Sequence, residues 1–199
     1  MVVAVVLAAG SSVRMGKPKL MMKVDGKPML ERVLDTLRRT RVSGVVVVLG
    51  EDAQEIQKEV ALRRETVVVN RKHREGMSSS LKLGIESAPA GTEAVMVVLA
   101  DMPLLAPKTV DALVDGYAKA KPKVVVPVFS GRRGNPVILD RSLFPAVMKL
   151  HGDVGAKSVV AACEGAVLEV PVEDGGVLFD VDDPAGYQSL LRRLPEGTP

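Results

Sequence analysis

Tryptophan is absent from this sequence of 199 residues, which has only three phenylalanines and two tyrosines. Proteins that bind single-stranded nucleic acid stack the bases on aromatic side chains, and this chain has too few of them for such a surface. Lysine and arginine together number 27 against 24 aspartates and glutamates, a balance that attracts anions only mildly. We therefore expect no nucleic acid among the partners of this protein.

Cysteine is nearly absent as well, because the sequence has one. A single cysteine excludes a disulfide within the chain and is typical of a reducing compartment. The apolar run at residues 2–9 has no basic lead-in and is too short for a signal peptide or a membrane span. These absences predict a cytoplasmic protein with no membrane partner.

Histidine occurs only twice, and neither residue lies in an apolar stretch of sequence typical of a catalytic site. His73, for example, lies in a run of charged residues that is typical of a solvated turn. No pairing of serine or cysteine with histidine stands out, so the sequence gives no sign of an activated covalent nucleophile. Any reaction that this protein catalyses is therefore expected to depend on the positioning of its substrates and on charge.

Valine-rich runs are abundant and alternate with segments of helical spacing. Runs of this kind are typical of strands buried on both faces of a parallel sheet. The alternation predicts an α/β fold of the Rossmann-like, doubly wound type: a mostly parallel sheet with helices on both faces, in one domain over residues 1–199. Predicted strands lie at 45–49, 67–69, 95–99 and 124–128, and predicted helices begin at Pro28, cover 53–64 and begin at Pro107.

The first strand ends in Ala8-Ala9-Gly10, and hydroxyl and cationic side chains follow it. Small residues let a ligand approach the backbone, and loop N–H groups can bind an anion. Arg14 and Lys19 can then neutralise phosphate oxygens. The alternative is a basic surface loop after an edge strand. We interpret the stretch as a triphosphate-binding loop, although it matches neither of the two commonest phosphate-loop patterns.

Residues 70–84 contain Gly76 followed by three serines. The serines are good N-cap residues, and the beginning of a helix offers free N–H groups to an anion or a base edge. An ordinary capped helix is the alternative, and for Ser79 alone it is the favoured one. The stretch indicates a second part of the same ligand site.

Three aspartates indicate a metal site. Asp101 directly follows a buried strand, at the sheet edge where open α/β folds bind ligands. Asp180 and Asp182 are expected on one face of a later strand, where two carboxylates repel unless a cation lies between them. We expect Asp101 and one of the pair, with a slight preference for Asp180, to bind one Mg²⁺ directly. The alternative for Asp101 is a cap on the helix that begins at Pro107.

Two further stretches are less specific. Residues 130–137 hold Arg132 and Arg133 between glycines, so they predict either a hairpin tip or a basic pair that binds an acceptor phosphate. Asp153 precedes a predicted helix and is interpreted equally well as its cap or as a substrate contact.

The pattern Leu7-Ala-Ala-Gly-x-Ser-x-Arg-Met-Gly-x-x-Lys19 resembles the signature of the MobA-like nucleotidyltransferases. Within them it is most similar to the molybdenum-cofactor cytidylyltransferases. Gly76-Met-Ser-Ser-Ser-Leu resembles the nucleoside-binding segment of that family, Asp101 matches its Mg²⁺-binding aspartate, and residues 180–184 match its closing acidic segment in part. The resemblance covers nearly the whole chain, which implies one MobA-like nucleotidyltransferase domain over residues 1–199.

Carried over onto this sequence, the resemblance implies a complete site. Arg14 and Lys19 are the catalytic cations, and Asp101, Asp180 and Asp182 hold the metal. Arg133, Asn135 and Asp153 line the acceptor side, although Asn135 stands where the family often has histidine and Asp183 where it usually has threonine. The residues expected to bind the nucleotide are Leu7, Ala8, Ala9, Gly10, Ser12, Arg14, Lys19, Gly76, Ser78 and Ser80.

The reaction that the resemblance implies is transfer of CMP from CTP to the phosphate of molybdopterin, with release of pyrophosphate and with Mg²⁺ as cofactor. Ala8-Ala9-Gly10 favours cytidylyl over guanylyl transfer, for which Ala-Gly-Gly is usual. A molybdoenzyme or its chaperone is then expected to receive the product. The alternatives are guanylyl transfer, a sugar or polyol phosphate as acceptor, and a nucleotide-binding regulator without turnover.

Overall fold

A computed structural model describes residues 1–10 and 18–193 of the chain. The strands found there are β1 (Val2–Ala8), β2 (Lys23–Val24), β3 (Lys27–Pro28), β4 (Gly44–Leu49), β5 (Thr66–Val69), β6 (Ala94–Leu99), β7 (Val124–Phe129), β8 (Arg132–Arg133), β9 (Val137–Asp140) and β10 (Val167–Pro171). The helices are α1 (Met29–Arg38), α2 (Ala53–Glu59), α3 (Met77–Glu86), α4 (Pro107–Ala120), α5 (Phe144–Val147), α6 (Ala156–Ala161) and α7 (Pro184–Arg193).

The central sheet is mostly parallel, as the sequence predicts. Its order within the described residues is β10-β7-β9-β6-β1-β4-β5, with β8 beside β7. β1 lies at the centre and pairs in parallel with both β4 and β6. Alternate side chains of β1 are buried on opposite faces, Ala4 and Val6 on one and Val3 and Val5 on the other. This burial on both faces explains the continuous valine runs.

β9 is the exception, because it runs antiparallel between β6 and β7. The chain reverses at Ser130 and Gly131, whose φ angles of 49° and 75° are those of a tight hairpin turn. Arg132 and Arg133 then pair with the end of β7. The hairpin tip, one of the two interpretations of residues 130–137, is present, whereas the antiparallel strand that follows it was not predicted.

Helices cover both faces of the sheet, which confirms the doubly wound architecture. α1, α2 and α4 pack against one face and share its apolar core. α3, α5 and α6 pack against the other. α7 lies apart from both layers and buries Leu190 with Val24, Met29 and Val181. No helix in the described residues is long and apolar enough to span a lipid bilayer.

Several predicted boundaries are wrong, each for a local reason. α2 ends at Glu59, although helix was predicted to 64, because the backbone of Val60 is already extended. Pro28 lies in a short β2–β3 hairpin and precedes α1. Gly76 and not a serine is the N-cap of α3. Residues 179–183 form no strand and follow a 3₁₀ turn at Gly175–Leu178.

Asp174, which the sequence interpretation passed over, connects the beginning of α4 to the 3₁₀ turn. Its side chain is buried and accepts hydrogen bonds from the Ala106 N–H at 2.9 Å, the Thr109 hydroxyl at 2.8 Å and the Gly176 N–H at 2.9 Å. Asp174 therefore caps α4 from another segment of the chain, and the alternative that Asp101 caps this helix is wrong.

Replacing Asp174 with alanine is expected to lower the free energy of unfolding by about 3 kcal/mol, because three buried donors lose a charged acceptor. Urea unfolding measures this loss. The control is Glu173→Ala, since Glu173 is exposed and its nearest cation, Lys108, is 3.9 Å away. That exposed pair should contribute less than about 1 kcal/mol. Equal losses in the two variants would contradict the structural role of Asp174.

Candidate active site

Four strands end at the same edge of the sheet, and their following residues form the candidate site. Because β1, β4, β5 and β6 are parallel neighbours, Ala9, Gly50, Asn70 and Asp101 all follow a strand at its carboxyl end. Open α/β sheets bind their ligands at this edge. The fold thus brings together the segments that the sequence interpretation singled out.

The predicted phosphate loop is described only in part. Leu7 and Ala8 end β1, and Ala9 follows it in the core. Gly10 is exposed, and a β-carbon there would have nothing within 4 Å. Ser12 and Arg14 belong to 11–17, outside the described residues. A β-carbon at Gly50 would lie 2.7 Å from the Ala9 carbonyl oxygen. The segments that follow β1 and β4 therefore lie too close together for any residue larger than glycine at position 50.

Lys19 lies at the centre of the charged part of the site, on a 3₁₀ turn at Lys19–Met21. Its Nζ lies 2.6 Å from Asp101 Oδ2 and 3.4 Å from Asp182 Oδ1, and it donates to the Val181 carbonyl oxygen at 2.9 Å. The Lys19 and Asp101 side chains are each only 15% exposed. The structure therefore joins the predicted catalytic lysine to two of the predicted metal ligands.

One carboxylate oxygen of Asp101 has no hydrogen-bond partner in the part of the chain that the structure describes. Its Oδ2 binds Lys19, whereas Oδ1 is buried and has no hydrogen-bond donor among the described residues. A buried, unpartnered carboxylate oxygen is costly, and a hard divalent cation is a suitable partner for it. The residues present therefore fit a metal.

The three predicted metal ligands lie near one another without forming a ready-made cage. In residues 1–10 and 18–193, no three histidine, cysteine or acidic side chains are placed closely enough to hold a metal ion together. Partial loss of hydration, and then the negative charges of Asp182 and Asp101, raise the pKa of Asp180. Three carboxylates within electrostatic range favour the arrival of a cation.

A backbone hydrogen bond, and not pairing in a strand, places residues 180–182 beside Asp101. The Val181 N–H donates to the Asp101 carbonyl oxygen at 3.1 Å, and the Val181 side chain is fully buried. Asp180 and Asp182, on either side of it, are exposed. The predicted strand at this segment is wrong, but one buried valine and one backbone hydrogen bond bring its carboxylates to Asp101.

Gly76 and the Gly152–Asp153 turn form the other side of the site. Gly76 has a φ of +99°, and a β-carbon there would lie 2.3 Å from the carbonyl carbon of Gly152. Asp153 Oδ1 accepts a hydrogen bond from the Met77 N–H at 3.2 Å. Asp153 thus caps α3 and not α6, the helix that follows it. A predicted acceptor residue and the predicted nucleoside segment are therefore in direct contact.

The three serines lie within the first turn of α3. Ser78 and Ser80 are buried, while Ser78 and Ser79 also line a cleft of about 430 Å³ along the flank of the helix. Lys82 and His151 lie on the same cleft. The Asn70 amide donates to the hydroxyl oxygens of two of these serines, Ser79 and Ser80. The sequence did not identify Asn70 as a functional residue, although it directly follows a predicted strand.

Arg133 and Asn135 are placed elsewhere. The exposed Arg133 Nε donates to Glu169 Oε1 at 2.6 Å. Arg133 lies on β8 and Glu169 on β10, which both pair with β7. The Asn135 N–H donates to the Val177 carbonyl oxygen at 2.9 Å. Among the described residues, neither side chain contacts Lys19 or Asp101.

Residues 4–167 match the family described as the MobA-like NTP transferase domain. The chain belongs to this family. Among curated relatives of this MobA-like protein are the purine catabolism protein PucB of Bacillus subtilis, 30% identical, and nicotine blue oxidoreductase of Paenarthrobacter nicotinovorans, 31% identical. The first alignment covers 96% of this chain and 97% of the relative, and the second covers 96% of each. The resemblance inferred from the signature is thereby confirmed at the level of the family.

Several solved structures are similar to this chain. Rv0371c of Mycobacterium tuberculosis H37Rv is 29% identical with a TM-score of 0.86, over 96% of this chain and 97% of that one. A structure of Rv0371C in complex with manganese gives 28% identity and a TM-score of 0.84, over 97% and 99%. The molybdopterin-guanine dinucleotide biosynthesis protein A of Archaeoglobus fulgidus, at 19% identity, 96% and 97% coverage and a TM-score of 0.69, shares the fold.

The described part of the site holds charged groups of the kind that nucleotidyl transfer uses. Such a reaction depends on in-line positioning and charge neutralisation and needs no covalent nucleophile. An ammonium group, a buried carboxylate and a flanking acidic segment supply the charges. The family is one of nucleotidyltransferases, and the geometry is consistent with an enzyme.

Proposed function

We propose that this protein transfers CMP from CTP to the phosphate of a molybdopterin-type acceptor. An oxygen of the acceptor phosphate attacks the α-phosphorus of CTP, the bond between the α-phosphorus and the bridging oxygen breaks, and pyrophosphate leaves. The observation that carries this proposal is the contact of Lys19 with Asp101 at the carboxyl edge of the sheet. The MobA-like family and the Ala8-Ala9-Gly10 sequence support it.

The cations stabilise the charge that the reaction develops. Lys19 is held by Asp101 and the Val181 carbonyl oxygen, so its ammonium needs little rearrangement during the reaction. Arg14 adds a planar guanidinium group, which can donate two parallel hydrogen bonds to phosphate oxygens. Leu7, Ala8, Ala9, Gly10, Ser12, Gly76, Ser78 and Ser80 are proposed to hold the nucleotide.

A divalent cation, Mg²⁺ by preference, is proposed as the cofactor. Asp101 Oδ1, together with Asp180 or Asp182, would hold it, and when bound it neutralises charge on the phosphates. The manganese complex of Rv0371C shows that a related protein binds a divalent ion. Asp101 approaches Lys19 through its other oxygen, so ammonium and cation need not compete for one atom.

The acceptor is proposed to lie toward Asp153, which contacts the beginning of α3. Arg133 and Asn135 are proposed to extend that side, although Arg133 must then exchange Glu169 for the ligand. The product is proposed to pass to a molybdoenzyme or its chaperone in the cytoplasm. Guanylyl transfer, a sugar or polyol phosphate as acceptor, and a nucleotide-binding regulator remain as alternatives.

The affinity for CTP relative to GTP tests the proposal that CTP is the nucleotide substrate. We expect CTP to bind at least about tenfold more tightly than GTP, because a site built for hydrogen bonds to one base leaves its polar groups unpaired with another. Calorimetric titration of the wild-type chain with each nucleotide measures the ratio. Equal affinities would overturn the cytidylyl assignment and leave nucleotidyl transfer standing.

Release of pyrophosphate tests the acceptor. The assay is run with each of the four nucleoside triphosphates, with molybdopterin, with a sugar or polyol phosphate and with no acceptor. The proposal expects release only with CTP and molybdopterin together. Release with another phosphate identifies a different transferase, and binding without release in any arm identifies a regulator.

A further inference from the structure

Asn70 is a buried amide that no part of the proposed function uses. It directly follows β5 and is 4% exposed. Its Oδ1 accepts a hydrogen bond from the Lys72 N–H at 2.9 Å, and its Nδ2 donates to the hydroxyl oxygens of Ser79 at 2.8 Å and Ser80 at 2.9 Å. All of its polar atoms are therefore engaged, at the point where β5 meets the first turn of α3.

These contacts fix which way the amide faces. A backbone N–H can only donate, so the atom that faces Lys72 must be the amide oxygen. The amide nitrogen then faces both serines, and both hydroxyl oxygens act as acceptors. The proton of Ser79 has two backbone acceptors, the carbonyl oxygens of Gly76 at 2.8 Å and Lys72 at 3.0 Å.

Ser80 differs from Ser79 in one respect. Its hydroxyl oxygen accepts from Asn70, but in residues 1–10 and 18–193 the hydroxyl donates no hydrogen bond to a protein acceptor. Each hydroxyl has a single proton to donate. Asn70 thereby commits Ser80 to present a hydrogen-bond donor, at the sheet edge where the nucleotide is proposed to bind.

We propose that Asn70 is a positioning residue that makes Ser80 a hydrogen-bond donor to the base of the bound nucleotide. This inference rests on the proposed function and adds the polarity of the contact. The partner atom in the ligand must be an acceptor, such as the ring nitrogen or the carbonyl oxygen of cytosine. An amino group at that position would meet the Ser80 proton and be rejected.

Asn70→Asp reverses this polarity with almost no change in shape. A carboxylate only accepts, so it keeps the Lys72 contact and attracts the protons of both serines. Asp174 shows that the fold accommodates a buried carboxylate with three donors. We expect the variant to unfold cooperatively, as the wild type does, and to bind CTP at least about tenfold more weakly. Its kcat at saturating CTP should change by less than about twofold, because a contact to the base acts equally in the ground and transition states.

The neighbouring serines supply matched variants. Ser80→Ala should weaken CTP binding as much as Asn70→Asp does, and combining the two should weaken it no further, because both remove the same donor. Ser79→Ala should leave CTP affinity within about twofold of the wild type, since the proton of Ser79 goes to the backbone. Calorimetry with CTP, without acceptor, measures all four variants.

Each outcome decides the inference. Wild-type affinity in Asn70→Asp, or a further loss on combining it with Ser80→Ala, would overturn it. If Asn70→Asp does not fold, equal effects of Ser79→Ala and Ser80→Ala would overturn it, and a loss confined to Ser80→Ala would support it. If the wild type binds another nucleotide more tightly than CTP and Asn70→Asp weakens the binding of that nucleotide, the cytidylyl assignment fails and the role of Asn70 stands.

Discussion

Asp101→Asn is expected to lower the rate of pyrophosphate release by about 10²-fold or more while the fold persists. Asparagine keeps the shape of the side chain and an oxygen for Lys19, so the buried lysine retains Val181 and Asp182 as partners. What is lost is the negative charge at Oδ1, the buried oxygen for which the described residues provide no donor. Steady-state turnover against Mg²⁺ concentration measures the effect, and CTP titration without metal should still show binding.

The matched control for this variant is Asp52→Asn. Asp52 also lies just beyond a parallel strand at the same edge, and its side chain makes no hydrogen bond or ion pair in the described part of the chain. Its replacement should leave turnover within about twofold of the wild type, as for a surface change outside the site. Comparable losses in both variants would mean that general acidity at this edge, and not Asp101, is responsible.

Gly76→Ala is expected to have the largest structural effect. The backbone at Gly76 has a φ of +99°, and the new methyl group would lie 2.3 Å from the Gly152 carbonyl carbon. With its ψ of 176°, Gly76 lies in a backbone region that essentially only glycine adopts, which costs alanine about 1–3 kcal/mol. Overpacking against backbone adds about 1–3 kcal/mol. Urea unfolding should show the sum. Since the Gly152–Asp153 turn must move away from Met77, CTP affinity should fall at least about tenfold.

Gly131→Ala separates the two costs. Gly131 has a φ of +75°, but a β-carbon there would have nothing within 4 Å. Alanine at this position therefore meets the strain of a positive φ without a clash. We expect a loss of about 1 kcal/mol and unchanged CTP affinity. If Gly76→Ala were no more harmful than Gly131→Ala, the contact between Gly76 and Gly152 would not organise the site.

The sequence predicted the fold class because the valine runs are long and regular. Burial on both faces of a strand leaves a clear pattern, as at β1 and β6, and so does a helix with one apolar face, as at α1. β9 was missed because Val137 to Leu139 is a short run directly after a hairpin, and nothing in it indicates an antiparallel direction. Strand order depends on tertiary contacts, which local patterns do not record.

The candidate site was predicted where side chains carry the chemistry. Lys19 and Asp101 stand in recognisable sequence contexts, and the structure places them 2.6 Å apart. Asn70 and Asp174 were missed because each acts on partners that only the fold brings near. The carbonyl oxygen of Val181, which accepts from Lys19, could not be predicted, since every residue has one.

The contact between Lys19 and Val181 joins residues separated by 162 positions. In a chain still emerging from the ribosome, the segment around Val181 is synthesised long after β1, β4 and β6. Long-range closures of this kind form late because their loop entropy must be overcome first. We therefore expect nascent chains that lack the segment around Val181 to transfer no nucleotide.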